Sequence, residues 1–408
     1  MSRAGHRLPE GNDVQCPVTR ERYRIDGEVC NPVSDEPPPE KIPLQDIAAE
    51  TKFFEPKLRA AFDRVLAGGV FIMGSEVTAL ERSMTDLLHV EHAVGVSSGT
   101  DALLVSLMAL GIGPGDEVIT TPLSFFATVG AILRLGAKPV FADIDLATQN
   151  IDPERVRQAI TDKTKAILPV HLFGRPVDLK VFDIAAERGI PVVEDAAQAL
   201  GATTDRGHVG GLGTIGCFSF FPTKNLGALG DGGLVVTNDA KLAERVRLLR
   251  AHGAKPKYHH VALGGNFRLD ALQAAFLREK LPYLEELTER RRVNAAAYRE
   301  GLGELEAEGR IVLPPEHPGH VFHQYVVRTA RRDEVKATLA EVGVETAVYY
   351  PEPLHRMPVF GTAQAGDDMT NAQKTCRENL ALPINPWLTA IGLRRIVNQL
   401  RIDLADSD

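Results

Sequence analysis

Cysteine is scarce in this chain, with 4 residues among 408. Small secreted domains that depend on disulfides contain a much higher share, so a disulfide scaffold is excluded and a reducing cytoplasm is the expected location. Cys16 and Cys30 share the N-terminal segment with a single histidine, His6. Structural zinc sites take four nitrogen or sulfur ligands, commonly in paired Cys-x-x-Cys units. We therefore interpret both cysteines as ordinary thiols and expect no metal.

The chain also lacks a basic surplus and long apolar runs. Lys and Arg number 46 against 54 Asp and Glu, a net charge of −8. Nucleic-acid-binding proteins usually carry a basic face, so we expect no nucleic-acid partner. No stretch approaches the ~20 apolar residues that cross a bilayer, and the first residues contain no apolar run, so we expect neither a membrane span nor a secretory signal. Hydrophobic residues at 44% and charged residues at 25% are typical of a folded protein.

Proline is frequent in the first 42 residues. Pro9, Pro17 and Pro32 precede the run Pro37-Pro38-Pro39, and no apolar period is visible around them. This composition is typical of loops and linkers rather than of core elements. We interpret residues 1–42 as an N-terminal extension.

From Leu44 onward, apolar segments of strand length alternate with segments of helix length. Strands are predicted over 94–96, 117–120, 139–144, 166–172, 191–194 and 234–237, and helices over 48–67, 100–110, 125–135 and 179–188. This alternation predicts an α/β fold with a mostly parallel central sheet flanked by helices. Strands over 323–329 and 344–350, with helices over 333–341 and 389–400, predict a smaller C-terminal α+β domain. The expected organisation is therefore 1–42, 43–285 and 286–408.

Small and polar residues follow the first predicted strand of the sheet, in the segment Ser97-Ser98-Gly99-Thr100-Asp101. In open α/β sheets, ligands bind at the carboxyl ends of the strands, and a helix N-terminus favours an anion. The segment is therefore a candidate phosphate site. A simple helix cap would explain Gly99 and Thr100 as well.

Two charged residues stand in surroundings that favour burial. Asp195 ends an apolar strand, where a carboxylate needs a cationic partner or several donors, so it is either half of a structural ion pair or an anion held against a cationic ring. Lys224 stands among aromatic residues and glycines in Phe218–Gly227. Desolvation would lower its pKa and make the amine nucleophilic, although most lysines simply extend along the surface. A phosphate cup, a buried carboxylate and a buried lysine on one sheet together suit pyridoxal phosphate.

The same segments carry a resemblance to a known family. In chain order they are Ser98–Ala102, Gly113–Ile119, Glu194–Gln198, Phe218–Gly227, Gly230–Gly233 and Gly265–Asp270. From about Ile42 to the C-terminus, the chain resembles sugar aminotransferases of the DegT/StrS type. The resemblance implies pyridoxal phosphate as the cofactor and the aspartate-aminotransferase fold, which is called fold type I among pyridoxal-phosphate enzymes.

The resemblance also implies roles around the cofactor ring. Lys224 is expected to hold the cofactor as a Schiff base and to move protons during catalysis. Asp195 is expected to pair with the pyridine nitrogen, and Gln198 to contact the ring hydroxyl. Phe125, in Ser124-Phe125-Phe126-Ala127-Thr128, matches the aromatic residue that stacks on the pyridine.

The resemblance implies that the cofactor phosphate is held from both subunits of a homodimer. Gly99, Thr100 and Ser219 are the expected contacts within one chain. Asn266 is expected to reach the phosphate from the partner, with Arg268 beside it, so that the two active sites are shared. The alternative is that Asn266 only caps a helix that begins near Leu269, since Asn is a common cap.

Substrate contacts are implied by three further segments, Phe71–Val77, Tyr258–His260 and Thr346–His355. They are similar to segments of relatives that act on UDP-linked 3-oxo-N-acetylhexosamines or their uronates. The expected contacts are Arg268, His259, His260, Tyr350 and His355. Histidines in loops are equally often ordinary solvated residues.

The implied reaction transfers an amino group from L-glutamate to a nucleotide-linked keto-sugar, in amino-sugar or cell-surface polysaccharide biosynthesis. Some relatives carry His in place of the cofactor lysine and dehydrate their substrate instead. Lys224 therefore favours transamination in this chain. Three alternatives stay open: a dTDP-keto-6-deoxyhexose aminotransferase, a cofactor-dependent sugar dehydratase, and a non-catalytic regulator that kept the fold.

Overall fold

The structure is a computed structural model that describes three N-terminal strands together with residues 41–360 and 369–405. The chain divides into two compact units, Met1–Lys41 and Ile42–Asp408. Strands β1 (Asp13–Gln15), β2 (Arg22–Asp26) and β3 (Val29–Val33) form an antiparallel sheet in the first unit. We predicted no strand there, because the proline content masked any alternation of apolar residues. The expectation that Cys16 and Cys30 are ordinary thiols concerns side chains outside the described residues.

The second unit contains strands β4 to β14. Their bounds are β4 His92–Val96, β5 Glu117–Thr120, β6 Lys138–Phe141, β7 Thr164–Leu168, β8 Val193–Asp195, β9 Thr203–Thr204, β10 Gly207–His208, β11 Ile215–Ser219, β12 Gly233–Thr237, β13 Tyr325–Arg328 and β14 Asn379–Leu382. Parallel bridges between Ile167 and Val192, and between Val170 and Asp195, connect β7 to β8. The central sheet therefore runs β4-β12-β11-β8-β7-β5-β6, and β12 runs in the opposite direction to the other six strands.

Helices cover both faces of this sheet. Their bounds are α1 Ile47–Gly68, α2 Ser75–Leu88, α3 Gly99–Leu110, α4 Ala127–Arg134, α5 Pro153–Ala159, α6 Lys180–Arg188, α7 Ala240–Arg250, α8 Ala271–Lys280, α9 Leu284–Ala307, α10 Arg332–Glu341, α11 Thr370–Glu378 and α12 Ala390–Asp403. Alternate residues of β12 show why both faces need cover: Val235 packs with α3 and α7, whereas Leu234 and Val236 pack with α2 and α8. The predicted α/β sheet with helices on both sides is confirmed.

The C-terminal part has a core of its own. Helices α9, α10 and α12 pack around the β13–β14 pair in one apolar cluster, which also takes in Ile42. A further cluster joins both parts, since Val326 and Ala381 pack with Phe141. Helix α9 begins at Leu284, next to the domain boundary predicted between residues 285 and 286. Ile42–Asp408 forms a single compact unit, so this boundary stays a prediction.

The predicted strand over 344–350 is wrong. This segment makes two isolated bridges instead, Val344 with Ile42 and Ala347 with Ala381. Each bridge has a different partner segment, so no continuous ladder forms. The segment ends at Tyr350, whose backbone φ of 58° lies in the left-handed region that residues other than glycine rarely adopt.

Candidate active site

The ends of the parallel strands line one cavity of about 620 Å³. The loops after β4, β5 and β7 and the last residues of β8 and β11 all contribute to its wall, as expected for a sheet of this type. Eight of the predicted site residues line it together: Gly99, Thr100, Phe125, Asp195, Gln198, Ser219, Lys224 and Tyr350. Residues that are separated by up to 251 positions in the sequence therefore share one wall.

Asp195 is a buried carboxylate held by neutral donors. The Thr128 hydroxyl donates to its Oδ2 at 2.8 Å, and the Ala197 N–H donates to its Oδ1 at 3.2 Å. Burial raises the pKa of Asp195, while these hydrogen bonds and the charge of Lys224 act against that rise. No described basic side chain forms a salt bridge with it, so the structural ion pair considered above is not found in this part of the chain.

Lys224 faces the same cavity from the turn after β11. Its backbone N–H donates to the Phe221 carbonyl at 2.8 Å, which fixes the turn. Desolvation lowers the pKa of the amine to about 8, partly offset by the Asp195 carboxylate. A large share of the amine is therefore neutral near pH 8, as a nucleophile or proton carrier requires.

The N-terminus of α3 forms a narrow floor beside Ser219. Ser98 caps the helix, since its hydroxyl accepts from the Asp101 N–H at 3.0 Å. A Cβ on Gly99 would lie 2.6 Å from the Ser219 Cβ, so the approach of these two segments requires glycine. The segment can therefore cap the helix and bind an anion at the same time, because Ser98 makes the cap while Gly99 and Thr100 face the cavity.

Gln198 joins two other segments at the cavity wall. Its Oε1 accepts from the Phe173 N–H at 2.6 Å, and its Nε2 donates to the Tyr350 hydroxyl at 2.8 Å. Phe125 also lines the cavity, and with 64% of its surface exposed its ring is free to stack on a planar ligand.

Five predicted residues do not line this cavity. Asn266 is exposed, and Arg268 and Asn266 occupy a segment that bridges to Val96 and Ala251. His259 and His260 lie in an exposed loop, where the His260 Nδ1 lies 2.9 Å from the His252 carbonyl oxygen.

His355 is the fifth of these residues. It is buried against Phe141, with ring centroids 5.9 Å apart, and a solvated loop position is therefore wrong for it. The alternative that Asn266 caps a helix is also wrong, because α8 begins at Ala271 and Asp270 occupies the cap position.

Several cavity residues were missed by the sequence analysis. Thr128 lay inside the quoted Phe125 segment, but nothing in the sequence shows that its hydroxyl reaches Asp195. His323 lines the cavity, and burial together with the Lys224 charge holds its pKa well below the ordinary value, so the ring is neutral. Its Nδ1 pairs with the Asn225 Oδ1 at 3.1 Å.

A buried cluster behind Asp195 was also missed. The Glu194 carboxylate accepts from the N–H groups of Gly210, Leu212 and Gly213 at 2.6 to 2.9 Å. The His171 Nε2 lies 3.0 Å from Glu194, and the His171 Nδ1 accepts from the Val177 N–H, so the Nε2 carries the proton and donates. This cluster fixes the end of β8 next to Asp195.

These features fit pyridoxal phosphate. A partly neutral lysine amine can bond to an aldehyde, a buried carboxylate without a cation can hold a protonated pyridine nitrogen, and a helix N-terminus beside a serine can hold a phosphate. No group of three His, Cys, Asp or Glu side chains within residues 41–360 and 369–405 is placed to hold a metal.

Comparison with known proteins places the chain among aminotransferases. Residues 54–401 match the model of the DegT/DnrJ/EryC1/StrS aminotransferase family. The chain belongs to this family. Its members depend on pyridoxal phosphate, so the enzyme class and the cofactor predicted from the sequence are confirmed.

Three curated relatives match most of the chain. A protein of Geobacillus stearothermophilus named "Pleiotropic regulatory protein" is 48% identical over 88% of this chain and 97% of its own length. A "UDP-N-acetyl-3-dehydro-alpha-D-glucosamine 3-aminotranferase" of Acidithiobacillus ferrooxidans is 42% identical over 88% and 97%. A "dTDP-3-amino-3,4,6-trideoxy-alpha-D-glucose transaminase" of Streptomyces venezuelae is 40% identical over 88% and 96%.

Solved structures confirm the fold. S. venezuelae DesV, crystallised in complex with a ketimine intermediate, superimposes with a TM-score of 0.87 at 40% identity, covering 91% of this chain and 100% of that one. A Bacillus subtilis protein named NtdA, with bound cofactor PMP, gives a TM-score of 0.85 at 32% identity over 91% and 87%. Fold type I is therefore the fold of this chain. Among the described residues, no helix is long and apolar enough to span a membrane.

Proposed function

We propose that this enzyme transfers an amino group from L-glutamate to a nucleotide-linked keto-sugar, specifically a UDP-linked 3-oxo-N-acetylhexosamine or its uronate. The observation that carries the proposal is the convergence of the Lys224 amine and the buried Asp195 carboxylate on one cavity. The name of the A. ferrooxidans relative supports the choice of a UDP-linked 3-oxo sugar.

When bound, pyridoxal phosphate supplies an electron sink that stabilises negative charge on the carbon from which a proton leaves. The Lys224 amine holds the cofactor in the resting enzyme and afterwards carries that proton, for which a pKa of about 8 is well placed. Asp195 keeps the pyridine nitrogen protonated. A cationic nitrogen would also stabilise the carboxylate against the burial that raises its pKa.

The remaining cofactor contacts follow the walls of the cavity. Gly99, Thr100 and Ser219 bind the phosphate at the N-terminus of α3, where backbone N–H groups and the helix dipole favour an anion. Phe125 would supply an aromatic face on which the cofactor ring can stack. Its 64% exposure in the single chain is consistent with a stacking surface.

We further propose a homodimer in which Asn266 and Arg268 complete the partner's site. Neither residue lines the cavity of its own chain, and Asn266 is exposed. The Arg268 Nε is buried without a hydrogen-bond partner among the described residues. Leu263, three positions before Asn266, is 89% exposed, as an apolar residue of a subunit interface would be in the single chain. His259 and His260, which lie in an exposed loop shortly before Asn266, are proposed to contact the nucleotide sugar across that interface. The proposed substrate contact of His355 requires a movement that exposes its buried ring.

A purified preparation tests the proposal. The wild-type protein with pyridoxal phosphate should be yellow, should bleach on addition of L-glutamate, and should release 2-oxoglutarate. A panel of keto-sugar nucleotides then identifies the acceptor by formation of the amino sugar. Lys224→Ala serves as the inactive control, and Lys138→Ala, an exposed lysine paired with Glu117, as the matched active one.

The outcomes separate the candidate functions. Turnover of a dTDP-linked keto-sugar in preference to a UDP-linked one would replace the proposed substrate with the alternative that the S. venezuelae relative suggests. Loss of a hydroxyl group from the sugar without gain of nitrogen would show a dehydratase. A protein that binds cofactor yet never bleaches with L-glutamate or other amino donors would indicate a regulator.

A further inference from the structure

Three buried charged side chains lie outside the cavity and take no part in the proposed chemistry. They are Glu50 of α1, Lys280 at the end of α8 and Arg291 of α9. Lys280 and Arg291 are each 4% exposed, and none of the three lines the cavity. A charge leaves water only where partners compensate for its lost hydration, so the partners of these groups show which segments they hold.

The turn that carries Lys224 is closed at its base. The Ala228 N–H donates to the Phe220 carbonyl at 2.8 Å. A Cβ on Gly227 would lie 2.3 Å from the Pro222 carbonyl oxygen, so the two sides of the turn approach too closely for any residue but glycine. The place of the Lys224 amine therefore depends on where this closed turn is held.

Helix α8 holds the turn at two points. The Lys280 Nζ donates to the Gly227 carbonyl at 2.8 Å, and the Gln273 Oε1 accepts from the Leu229 N–H at 2.8 Å. Gln273 and Lys280 are seven positions apart, close to two helical turns, so both side chains project from the same face of α8. These two hydrogen bonds, the α8 contacts, lie on either side of Ala228, where the turn closes.

Glu50 is the counter-ion of two buried cations. Its Oε1 accepts from the Lys280 Nζ at 2.7 Å. Burial lowers the pKa of Arg291 to about 10, and the Glu50 carboxylate acts against that fall, so the guanidinium stays charged at neutral pH. Arg291 in turn donates to the Phe322 and His323 carbonyls at 3.4 Å, and His323 lines the cavity. Two segments of the cavity wall are therefore tied to one carboxylate.

Asn225 joins these two segments directly. Its Nδ2 donates to the Val321 carbonyl at 3.1 Å, and its Oδ1 lies 3.1 Å from the His323 Nδ1. Asn225 follows Lys224 in the chain, so the residue next to the cavity lysine is bonded to the segment that Arg291 holds. The buried charges thus fix the backbone around Lys224 from outside the cavity.

We propose that Lys280, supported by Glu50 and Gln273, is a positioning residue that holds the Lys224 amine within reach of the reacting atoms. The proposal rests on the proposed role of Lys224 in holding the cofactor and moving a proton. While the amine is bonded to the cofactor, that bond fixes its place, whereas the free amine is placed by the turn alone. A displacement of about 1 Å can slow a reaction about 100-fold, so the steps of the free amine depend most on the α8 contacts.

The first measurement uses cofactor-free protein mixed with pyridoxal phosphate. At saturating cofactor, the first-order rate of colour formation reports attack of the Lys224 amine on the aldehyde, with loss of water. Lys280→Met removes the donor to Gly227 and keeps an unbranched side chain, and it should slow this step at least about tenfold. Arg328→Met is the matched control and should react at the wild-type rate. It removes a cation of similar exposure, 6% against 5% for the Lys280 side chain, from an ion pair with Glu378.

The second measurement separates positioning from a general loss of stability. In single-turnover bleaching of the loaded enzyme, Lys280→Met should lower the rate constant at saturating L-glutamate, because the free amine carries the proton in that step. The half-saturating concentration of L-glutamate should stay at the wild-type value. Destabilisation alone would reduce the amount of folded protein, and so the amplitude of bleaching, without changing its rate constant.

Colour formation in folded Lys280→Met that is no slower than in Arg328→Met would overturn the positioning role while leaving the aminotransferase function intact. If Lys280→Met does not fold, Gln273→Leu removes the other α8 contact without leaving a buried charge unpaired. It should also slow colour formation, and a wild-type rate would equally overturn the proposal. Failure of the wild-type chain to become yellow or to bleach with L-glutamate would instead contradict the proposed function.

Discussion

At the scale of single residues, burial decides the chemistry. Asp195 and Lys224 face one cavity, and in both cases desolvation disfavours the charged form, raising the pKa of the acid and lowering that of the amine to about 8. Each charge partly offsets the effect on the other. A bound cationic ring would change this balance, because it gives Asp195 a permanent partner.

The lowered pKa of Lys224 predicts how the cofactor-free enzyme takes up pyridoxal phosphate. Only the neutral amine attacks an aldehyde, and below the pKa its fraction rises about tenfold per pH unit. The second-order rate of formation of the yellow complex should therefore rise about tenfold from pH 6 to 7 and level off near pH 8. A free lysine derivative should keep rising until about pH 10.4. A plateau only above pH 10 in the enzyme would contradict the burial of this amine.

Asp195→Asn should leave a folded protein that transfers amino groups at least about 100-fold more slowly, because a neutral amide cannot hold the pyridine nitrogen protonated. Single-turnover bleaching with L-glutamate measures the loss directly. Asp183→Asn, an exposed carboxylate paired with Arg206, is the matched control and should react at the wild-type rate. A near-normal rate in Asp195→Asn would mean that another group keeps the nitrogen charged.

At the scale of secondary-structure elements, strand ends and helix starts position the site. Strand β8 presents Asp195 on one side, while its neighbour Glu194 is tied to the loop that follows β10. The N-terminus of α3 meets the end of β11 so closely that Gly99 is required. The Glu194 cluster therefore has a positioning role: neither Glu194 nor His171 lines the cavity, but together they fix the strand that carries Asp195.

Glu194→Gln should destabilise the fold by about 1–3 kcal/mol, because an NH2 group would replace an oxygen that accepts from backbone N–H donors in a buried place. Urea unfolding of the cofactor-free protein measures this as a lower midpoint. Glu187→Gln, which lies on α6 in an exposed pair with Arg157, is the matched control and should keep the wild-type urea midpoint, because exposed ion pairs contribute little to stability. Equal midpoints for the two variants would show that the cluster contributes no stability.

At the scale of the whole molecule, the proposed homodimer predicts that each site needs residues from both chains. Subunits carrying Asn266→Ala and Arg268→Ala should be inactive, as should Lys224→Ala subunits. Mixed dimers place both defects in one site and leave the other intact, so activity should reappear on mixing if the segment acts across a two-fold interface. The measurement is amino transfer after joint refolding. Mixtures that stay inactive would show that Asn266 and Arg268 serve their own chain.

The division between Lys41 and Ile42 predicts that the first unit is dispensable for chemistry. Every residue that lines the cavity belongs to Ile42–Asp408. A chain that begins at Lys41 should keep its absorbance, its turnover and an unfolding midpoint close to that of the full chain. A chain that begins at Asp46 should be less stable, because it also loses the hydrogen bonds of Ile42 with Gly343 and of Leu44 with Glu345. Loss of cofactor binding in the longer of the two would contradict the prediction.

Much of the sheet could be predicted from local patterns. Strand β5 has the predicted bounds 117–120, and α3 and α6 each begin within one residue of prediction. These elements bury alternating or periodic apolar residues, which a short window of sequence reveals. The segment 344–350 has the same apolar character, but its partners are Ile42 and Ala381, more than 30 positions away in either direction, and no window contains them.

The segment 97–101, Asp195 and Lys224 could be predicted as site residues from local sequence, because ligands collect at the carboxyl ends of parallel strands. The expected roles of Phe125, Gln198, Ser219 and Tyr350 came only from the resemblance to the family. The hydrogen-bond partners of these residues could not be predicted from the sequence. Thr128 and Asp195 are 67 positions apart, and Gln198 and Tyr350 are 152 apart, so only the packing of the sheet and its loops decides that they meet. The residue types that the chemistry needs are local information, whereas their hydrogen bonds, burial and pKa values depend on long-range contacts that exist only in the folded chain.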